Sequence, residues 1–457
     1  MRRWRTSPRG RGEAPARHAH APIDTAHGGR YMPRMTAPDL APLSAYRSVP
    51  RTGVIFVMAE AAARGFRYGH PEWCNLGQGA PETGPLPLSA PRIDDVQIPG
   101  AAHEYSPVGG LWELREAVAS LYNQRYRRGM RTQYSAENVA IASGGRTALT
   151  RLAAAIDQVN LGHLLPDYTA YAELLETFDR MVPIPIVVSE REGFYLSPNR
   201  LREEIVGRGL GAVLLSNPCN PTGRVIRGGE LRAWVDISRE LGCQLIFDEF
   251  YAHYLYDDVA TAEGPSNSAC RYVEDVDQDP VVVVDGLTKN WRYPGWRLSW
   301  TVGPKALIER VTSAGSYLDG GAPHPLQIAA IPLLNPALAD QEARAIQNVF
   351  AEKRRMMVER VHQMGMQLVN SPQGAFYCFV NLDNLPEPLR NGMDFFRAAL
   401  ERKVIVVPGE FFDVDPGKRR RHIPSRMRNY VRLSFGPSHE SVREGLMRLD
   451  AMVRETR

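Results

Sequence analysis

The sequence predicts an α/β protein in two parts: a large domain with a mostly parallel sheet flanked by helices, and a smaller α+β domain formed by N- and C-terminal parts. Three observations carry this reading. The chain has 457 residues, too many for one ordinary core. From Val139 onward, short apolar runs alternate with helix-length stretches, the rhythm of a parallel sheet covered by helices. Past residue 330 that rhythm gives way to long helices around short strands. The boundaries read as 1–45 for a disordered extension, 46–100 for an arm and part of the small domain, 101–325 for the large domain and 326–457 for the small C-terminal domain.

Each element follows from local pattern. Residues 1–45 are rich in Arg, Pro, Gly, His and Ala without apolar periodicity, which predicts disorder. Arg2-Arg3 resembles a twin-arginine signal, but no apolar stretch follows it, and an Arg-rich transit peptide is the lesser alternative. Met32 and Met35 are alternative starts. Arg51 to Phe66 and Leu111 to Tyr126 carry apolar residues at helical spacing. Strands are expected at Val139 to Ala142, Ala212 to Leu215, Gln244 to Phe247 and Val281 to Val284, with helices from Thr147 and over Glu230 to Leu241. The C-terminal part predicts helices near 338–365, 393–402 and 438–454. Its strands fall near Ala375 to Val380, Val404 to Val407 and Tyr430 to Ser434.

Bulk properties exclude several classes. A net charge of +4 gives no footprint for nucleic acid. No apolar run approaches the roughly 18 residues of a membrane helix. Cys74, Cys219, Cys243, Cys270 and Cys378 show no C-x₂-C spacing, so no metal site is expected; a scattered, odd set predicts free thiols in a reducing, cytoplasmic compartment. Lysine is scarce, occurring only at 289, 305, 353, 403 and 418, so chemistry needing a lysine amine has few candidates.

Four segments place reactive groups just beyond expected strands, where open α/β sheets bind ligands. Ser143-Gly144-Gly145-Arg146-Thr147 offers free backbone N–H groups at a helix start, suited to a phosphate; an ordinary turn would look the same. Asn217-Pro218-Cys219-Asn220-Pro221-Thr222-Gly223 is a stiff, shaped loop presenting the Asn220 amide. Asp248 ends an apolar run, where a carboxylate is costly unless paired, and Tyr251 follows three residues on. Asp285-Gly286-Leu287-Thr288-Lys289 ends in the first lysine of the chain, with Arg297 eight residues later. A lysine amine forms an imine with an aldehyde, a carboxylate keeps a pyridinium protonated, and Gly-rich backbone with an arginine clamps a phosphate.

In these marks the sequence resembles the class I/II aminotransferases, pyridoxal-5′-phosphate (PLP) enzymes with the aspartate-aminotransferase fold. The resemblance runs from about residue 50 to 454. It implies PLP as cofactor, with Lys289 as the Schiff-base lysine, Asp248 on the pyridine nitrogen, and Tyr251 and Asn220 on the 3-hydroxyl oxygen. It further implies Gly145, the Arg146 backbone, Thr288 and Arg297 around the phosphate, and Tyr168 stacked on the ring. Tyr105 would reach the neighbouring subunit's phosphate, which implies a homodimer with shared active sites. Arg432 would grip the substrate α-carboxylate, with Gly79 and Asn220 beside it. There are departures. Gly286 stands where the family usually has a phosphate-binding serine, Ser299 and Trp300 stand where it favours glycine, and Asp319 to Pro325 lacks the usual Ser/Thr-rich look.

The implied activity moves an amino group between an L-amino acid and a 2-oxo acid. The alternative is a PLP lyase, decarboxylase or carbon–carbon bond-forming synthase of specialised biosynthesis. A non-enzymatic regulator of the same fold is disfavoured, since no helix-turn-helix extension is present. Tyr31, Phe56, Trp291 and His253 could line an aromatic or apolar pocket, but residues of this kind near such loops are more often core, and the basic run Lys418 to Arg421 reads as a solvated loop.

Overall fold

Near-continuous apolar runs form the centre of the molecule. In chain order the strands are β1 (Cys74–Asn75), β2 (Val139–Ala142), β3 (Val159–Leu165), β4 (Met181–Val187), β5 (Leu210–Ser216), β6 (Gln244–Asp248), β7 (Val281–Gly286), β8 (Ser299–Val302), β9 (Tyr377–Asn381), β10 (Val404–Ile405), β11 (Val407–Pro408) and β12 (Tyr430–Ser434). The computed structural model describes residues 49, 51, 53–178, 180–256 and 264–457; the extension expected at 1–45, with Tyr31, Met32 and Met35, lies outside the described residues.

Seven strands make one sheet in the order β2-β8-β7-β6-β5-β3-β4. Strands β3 to β7 pair in parallel, and only β8 runs against its neighbours. Because β2 and β7 are both antiparallel to β8, they point the same way. Every residue of β2 and β7 is buried. Such strands need cover on both faces, and helices Gly145–Ala155, Pro198–Arg208, Gly228–Leu241 and Lys305–Leu318 pack on the sheet strands.

Sequence patterning left β3, β4 and β8 unmarked. Strand β4 carries Pro183 and Pro185, residues that disfavour a central strand. It lies at the sheet edge, and prolines two apart direct both missing N–H groups to the same, open side.

A second sheet, β11-β12-β9, is antiparallel, with Arg432 opposite Val407 on one side and Phe379 on the other. The expected strand over Val404 to Val407 divides. Val404 and Ile405 pair with β1 from the N-terminal part, and Val407 with Pro408 pairs with β12. The long helix Pro336–Gln363 and the terminal helix His439–Thr456 pack together beside these strands.

Candidate active site

Five loops leave the same edge of the seven-stranded sheet, because β2, β3, β5, β6 and β7 all end there. They carry Ser143 to Arg146, Pro166 to Tyr168, Asn217 to Asn220, Asp248 to Tyr251, and Leu287 to Lys289. Parallel pairing therefore gathers side chains far apart in sequence.

Lys289 is held by its own turn. The Tyr254 hydroxyl donates to the Lys289 carbonyl at 2.9 Å, and Asn290 Nδ2 donates to buried Asp285 at 2.7 Å and to the Glu249 carbonyl at 3.0 Å. The Lys289 Nζ donates to the Gly79 carbonyl at 2.6 Å. Burial, followed by the nearby Arg432, Arg297 and Arg146 cations, lowers the Lys289 pKa to about 7; Asp248 opposes this. A substantial fraction of the amine is thus unprotonated near neutral pH, the form that attacks a carbonyl.

Asp248 is buried at the end of β6 and accepts from the Tyr171 hydroxyl at 2.9 Å. Burial raises its pKa to about 6, against the Tyr171 hydrogen bond, the Phe250 N–H and the Lys289 charge. Asp167, also buried, accepts from Ser216 Oγ at 2.5 Å and from the Tyr168 N–H at 2.6 Å. Ser216 Oγ in turn accepts from the Asn220 N–H at 3.1 Å, so one carboxylate fixes two of the loops.

The turn after β2 begins helix Gly145–Ala155 two residues earlier than patterning predicts, with Gly144 as its N-cap at φ 90°. That conformation favours glycine, and a Cβ there would collide with the Arg297 guanidinium. A Cβ on Gly145 would lie 2.5 Å from the Phe250 ring. The exposed Arg146 side chain donates to the Tyr168 hydroxyl at 3.2 Å through Nη2. Thr288 Oγ1 is buried with no hydrogen-bond partner. At Gly286 a Cβ would come within 2.5 Å of the Leu298 carbonyl oxygen, so the close β7–β8 pairing leaves no room for the serine usual in the resembling family.

The antiparallel sheet supplies the opposite wall. Arg432 is 1% exposed. Its Nη1 donates to Asn220 Oδ1 at 2.8 Å and Nη2 donates to the Gly77 carbonyl, while Nε has no partner. Among the described residues it makes no ion pair, whereas fully buried Arg292 is paired with Glu342 at 2.8 Å and Arg151 with Asp319. A buried guanidinium without its own acid is a site for a carboxylate from outside. The Tyr377 ring lies 4.2 Å from the Arg432 guanidinium carbon, and its hydroxyl is 2.8 Å from that of Tyr251. Gly79, at φ 67°, joins the two walls: a Cβ there would be 2.7 Å from Tyr377 Oη and 3.1 Å from Arg432 Nη2.

A family model described as aminotransferase class I and II matches residues 71–449. The chain belongs to this family. Among curated relatives, the aspartate/prephenate aminotransferase of Thermus thermophilus is 30% identical over 355 residues, covering 76% of this chain and 82% of its own. The aspartate aminotransferase of Streptomyces avermitilis is 28% identical over 366 residues, covering 78% of this chain and 83% of its own. Among solved structures, an aminotransferase from Mycobacterium tuberculosis superposes with a TM-score of 0.72 at 25% identity, over 92% of this chain and all of that one.

As a class I and II aminotransferase the protein is a transferase of a family that uses PLP. Its residues fit that group: a partly neutral lysine amine, a buried carboxylate at a strand end, a helix N-terminus that excludes side chains, and a buried threonine hydroxyl with no partner. The structure brings Lys289, Asp248, Tyr251, Gly145, Arg146, Tyr168, Asn220, Thr288, Arg297, Gly79 and Arg432 around this edge. Tyr105 is not among them; it stands 96% exposed on its own chain. Trp291 and His253 are core residues, packed on each other with Trp291 Nε1 donating to the Leu333 carbonyl at 3.0 Å. Phe56 packs on Phe396 and Phe411. Sequence reasoning passed over Tyr171, Asp167 and Tyr377. Tyr171 carried a usable signal, three residues after Tyr168, had β3 been recognised.

Proposed function

We propose that the protein is a PLP-dependent aminotransferase in which Lys289 binds the cofactor covalently and then serves as the base for the substrate Cα proton. When bound, PLP supplies an aldehyde carbon for the amine and a protonated pyridine ring that draws electrons from the Cα–H bond. In this reading Asp248, oriented by Tyr171, pairs with the pyridine nitrogen. Tyr251 and Asn220 meet the 3-oxygen, and Tyr168 stacks on the ring. Gly145, the Arg146 N–H, Thr288 and Arg297 hold the phosphate. Arg432, with Asn220 and Gly79, fixes the α-carboxylate and so aligns the substrate Cα with Lys289 Nζ.

The observation that carries the reading is the convergence on Gly79: its carbonyl takes the Lys289 amine at 2.6 Å, and a Cβ at this position would lie 3.1 Å from Arg432 Nη2. A cation for a carboxylate and an amine for proton transfer thus meet within the span of one α-amino acid. The relatives' names specify aspartate and prephenate, both dicarboxylic or aminated to dicarboxylic acids. On this chain the exposed Arg146 guanidinium, held by Tyr168, supports an acidic donor or acceptor.

The proposal includes a homodimer in which Tyr105, with its ring in solvent, reaches a second copy. It keeps the division into a large part at 101–325 and a small part from 46–100 with 326–457. Among the described residues no helix is long and apolar enough to cross a membrane. Five buried free cysteines support work in a reducing cytoplasm.

The test is a single-turnover spectrum of PLP-loaded protein with an amino-donor panel including aspartate, followed by 2-oxoglutarate and pyruvate. Transamination bleaches the visible band, leaves a near-ultraviolet aminated cofactor and yields one 2-oxo acid per site. Product release with the visible band restored before any 2-oxo acid is added would instead establish the lyase or decarboxylase alternative.

A further inference from the structure

We infer that Tyr377 is a positioning residue for both halves of the site: its hydroxyl turns the Tyr251 hydroxyl toward the cofactor, and its ring face holds the Arg432 guanidinium in place for the substrate carboxylate. This rests on the function proposed above.

Tyr377 opens β9, opposite Ser434 of β12, and Phe379 two residues on is opposite Arg432. Cross-strand partners share a face, and residues two apart on a strand do too, so Tyr377 and Arg432 are diagonal neighbours on one face. The ring centroid lies 4.2 Å from the guanidinium carbon, within cation–π range. Arg432 has no acid partner among the described residues, so this ring, with Phe412 at 5.0 Å, flanks the guanidinium where a counter-ion would otherwise stand.

The hydroxyl works on the other wall. Tyr251 Oη and Tyr377 Oη are 2.8 Å apart, and one of them donates. Tyr251 has a single hydrogen. Directing it at a cofactor oxygen requires that Tyr377 donate across the 2.8 Å contact. The competing acceptor for Tyr377 is the Gly79 carbonyl at 3.4 Å, which already receives Lys289 Nζ at 2.6 Å. Burial lifts the Tyr377 phenol to about 12, so it keeps its hydrogen at neutral pH. A hydroxyl that accepts a hydrogen bond is itself a stronger donor.

The test compares PLP-loaded wild type with Tyr377→Phe and Tyr377→Leu. A donor to the cofactor's ring oxygen stabilises its negative charge, which is greatest when the neighbouring nitrogen has lost its proton. Weakening that donor makes the nitrogen hold its proton to higher pH. Tyr377→Phe keeps the ring and loses the hydroxyl. It is expected to raise the pH midpoint of the visible band by about 0.5 unit and to lower kcat about fivefold, with KM for the amino donor within about twofold of wild type. Tyr377→Leu also loses the ring face and is expected to raise KM about tenfold more. A Phe variant whose midpoint stays within about 0.1 unit and whose kcat is unchanged overturns the hydroxyl role. A KM that rises equally in both variants overturns the ring role. If the wild type forms no visible band and no reducible adduct on Lys289, the proposed function falls and takes this inference with it. If band and adduct form but ignore the Phe variant, only this inference falls.

Discussion

The two sheets deliver their functional side chains by different routes. In the parallel sheet, reactive residues sit in the loop just after each strand, so the chain runs apolar and then chemical at every crossing: Ala142 into Gly144-Gly145, Leu215 into Asn217-Asn220, Val284 into Thr288-Lys289. In the antiparallel sheet, Tyr377 and Arg432 lie within strands whose residues are all buried, and only register turns them toward the site. A parallel edge concentrates loops and helix N-termini, which suits cofactor chemistry. A strand face offers rigid, buried side chains, which suits holding a carboxylate. The first region should therefore govern turnover and the second chiefly binding, with the Tyr377 hydroxyl as the point where the second acts on the first.

The largest expected effect is at Lys289. Lys289→Ala removes the attacking amine and the proton carrier together, and kcat is expected to fall by more than about 10³-fold. Borohydride reduction followed by peptide mapping should find the cofactor on residue 289 in wild type and nowhere in the variant. An adduct on another lysine would break the comparison at its root.

Arg432→Leu tests the binding wall. KM for the amino donor is expected to rise about 100-fold, the loss of a charge-assisted bidentate contact. The fold should tolerate this, because no buried acid is orphaned. Arg292→Leu is the control: it takes from buried Glu342 its partner at 2.8 Å and leaves only Arg92 at 3.8 Å, and should cost about 3 kcal/mol of stability in a denaturant titration. Equal destabilisation by both would erase the distinction between a functional and a structural buried arginine.

Protonation sharpens the contrast. With the Lys289 pKa lowered to about 7, the rate at which cofactor-free protein captures PLP should climb with pH through about 7 and then level. The sign for stability follows: between about 7 and the ordinary lysine value of 10.5 the unfolded lysine binds more protons than the folded one. Cofactor-free protein should therefore gain stability as pH rises through that window. Melting of Lys289→Met across the same range should lack this component, and an identical pH profile would refute it.

The smallest effects concern close packing. Gly145→Ala pushes a methyl against the Phe250 ring and Gly286→Ser pushes a hydroxymethyl group against the Leu298 carbonyl. Each is expected to destabilise by about 1–3 kcal/mol, measured by thermal melting. If Gly286→Ser were neutral and tightened PLP binding, the missing serine would be a true loss of phosphate contact rather than a consequence of the β7–β8 approach.

Much of the fold was legible because its strands read as local runs. Val139–Ala142 and Tyr430–Ser434 match patterning residue for residue, and the terminal helices shift by one or two. Strands β3, β4 and β8 were not legible. Glycine and histidine interrupt β3, prolines interrupt β4, and Ser299 and Thr301 make β8 look polar; each is a strand because its neighbours complete its hydrogen bonds. Among site residues, those in strand-end loops stood out. Tyr377 and Asp167 did not, since a tyrosine in a strand and an aspartate after a proline are ordinary in sequence and acquire meaning from what faces them.

By itself the sequence determined which chemical groups exist and roughly where each element begins: one early lysine among few, a carboxylate ending an apolar run, glycines where a helix starts. Those are local properties, set by side-chain chemistry and backbone sterics within a few residues. Only the tertiary structure decided that Lys289, Tyr377 and Arg432 all meet Gly79, which lies more than 200 residues before the first of them. Strand order and register fix that, because a shift of one residue would turn Arg432 to the other face of its sheet.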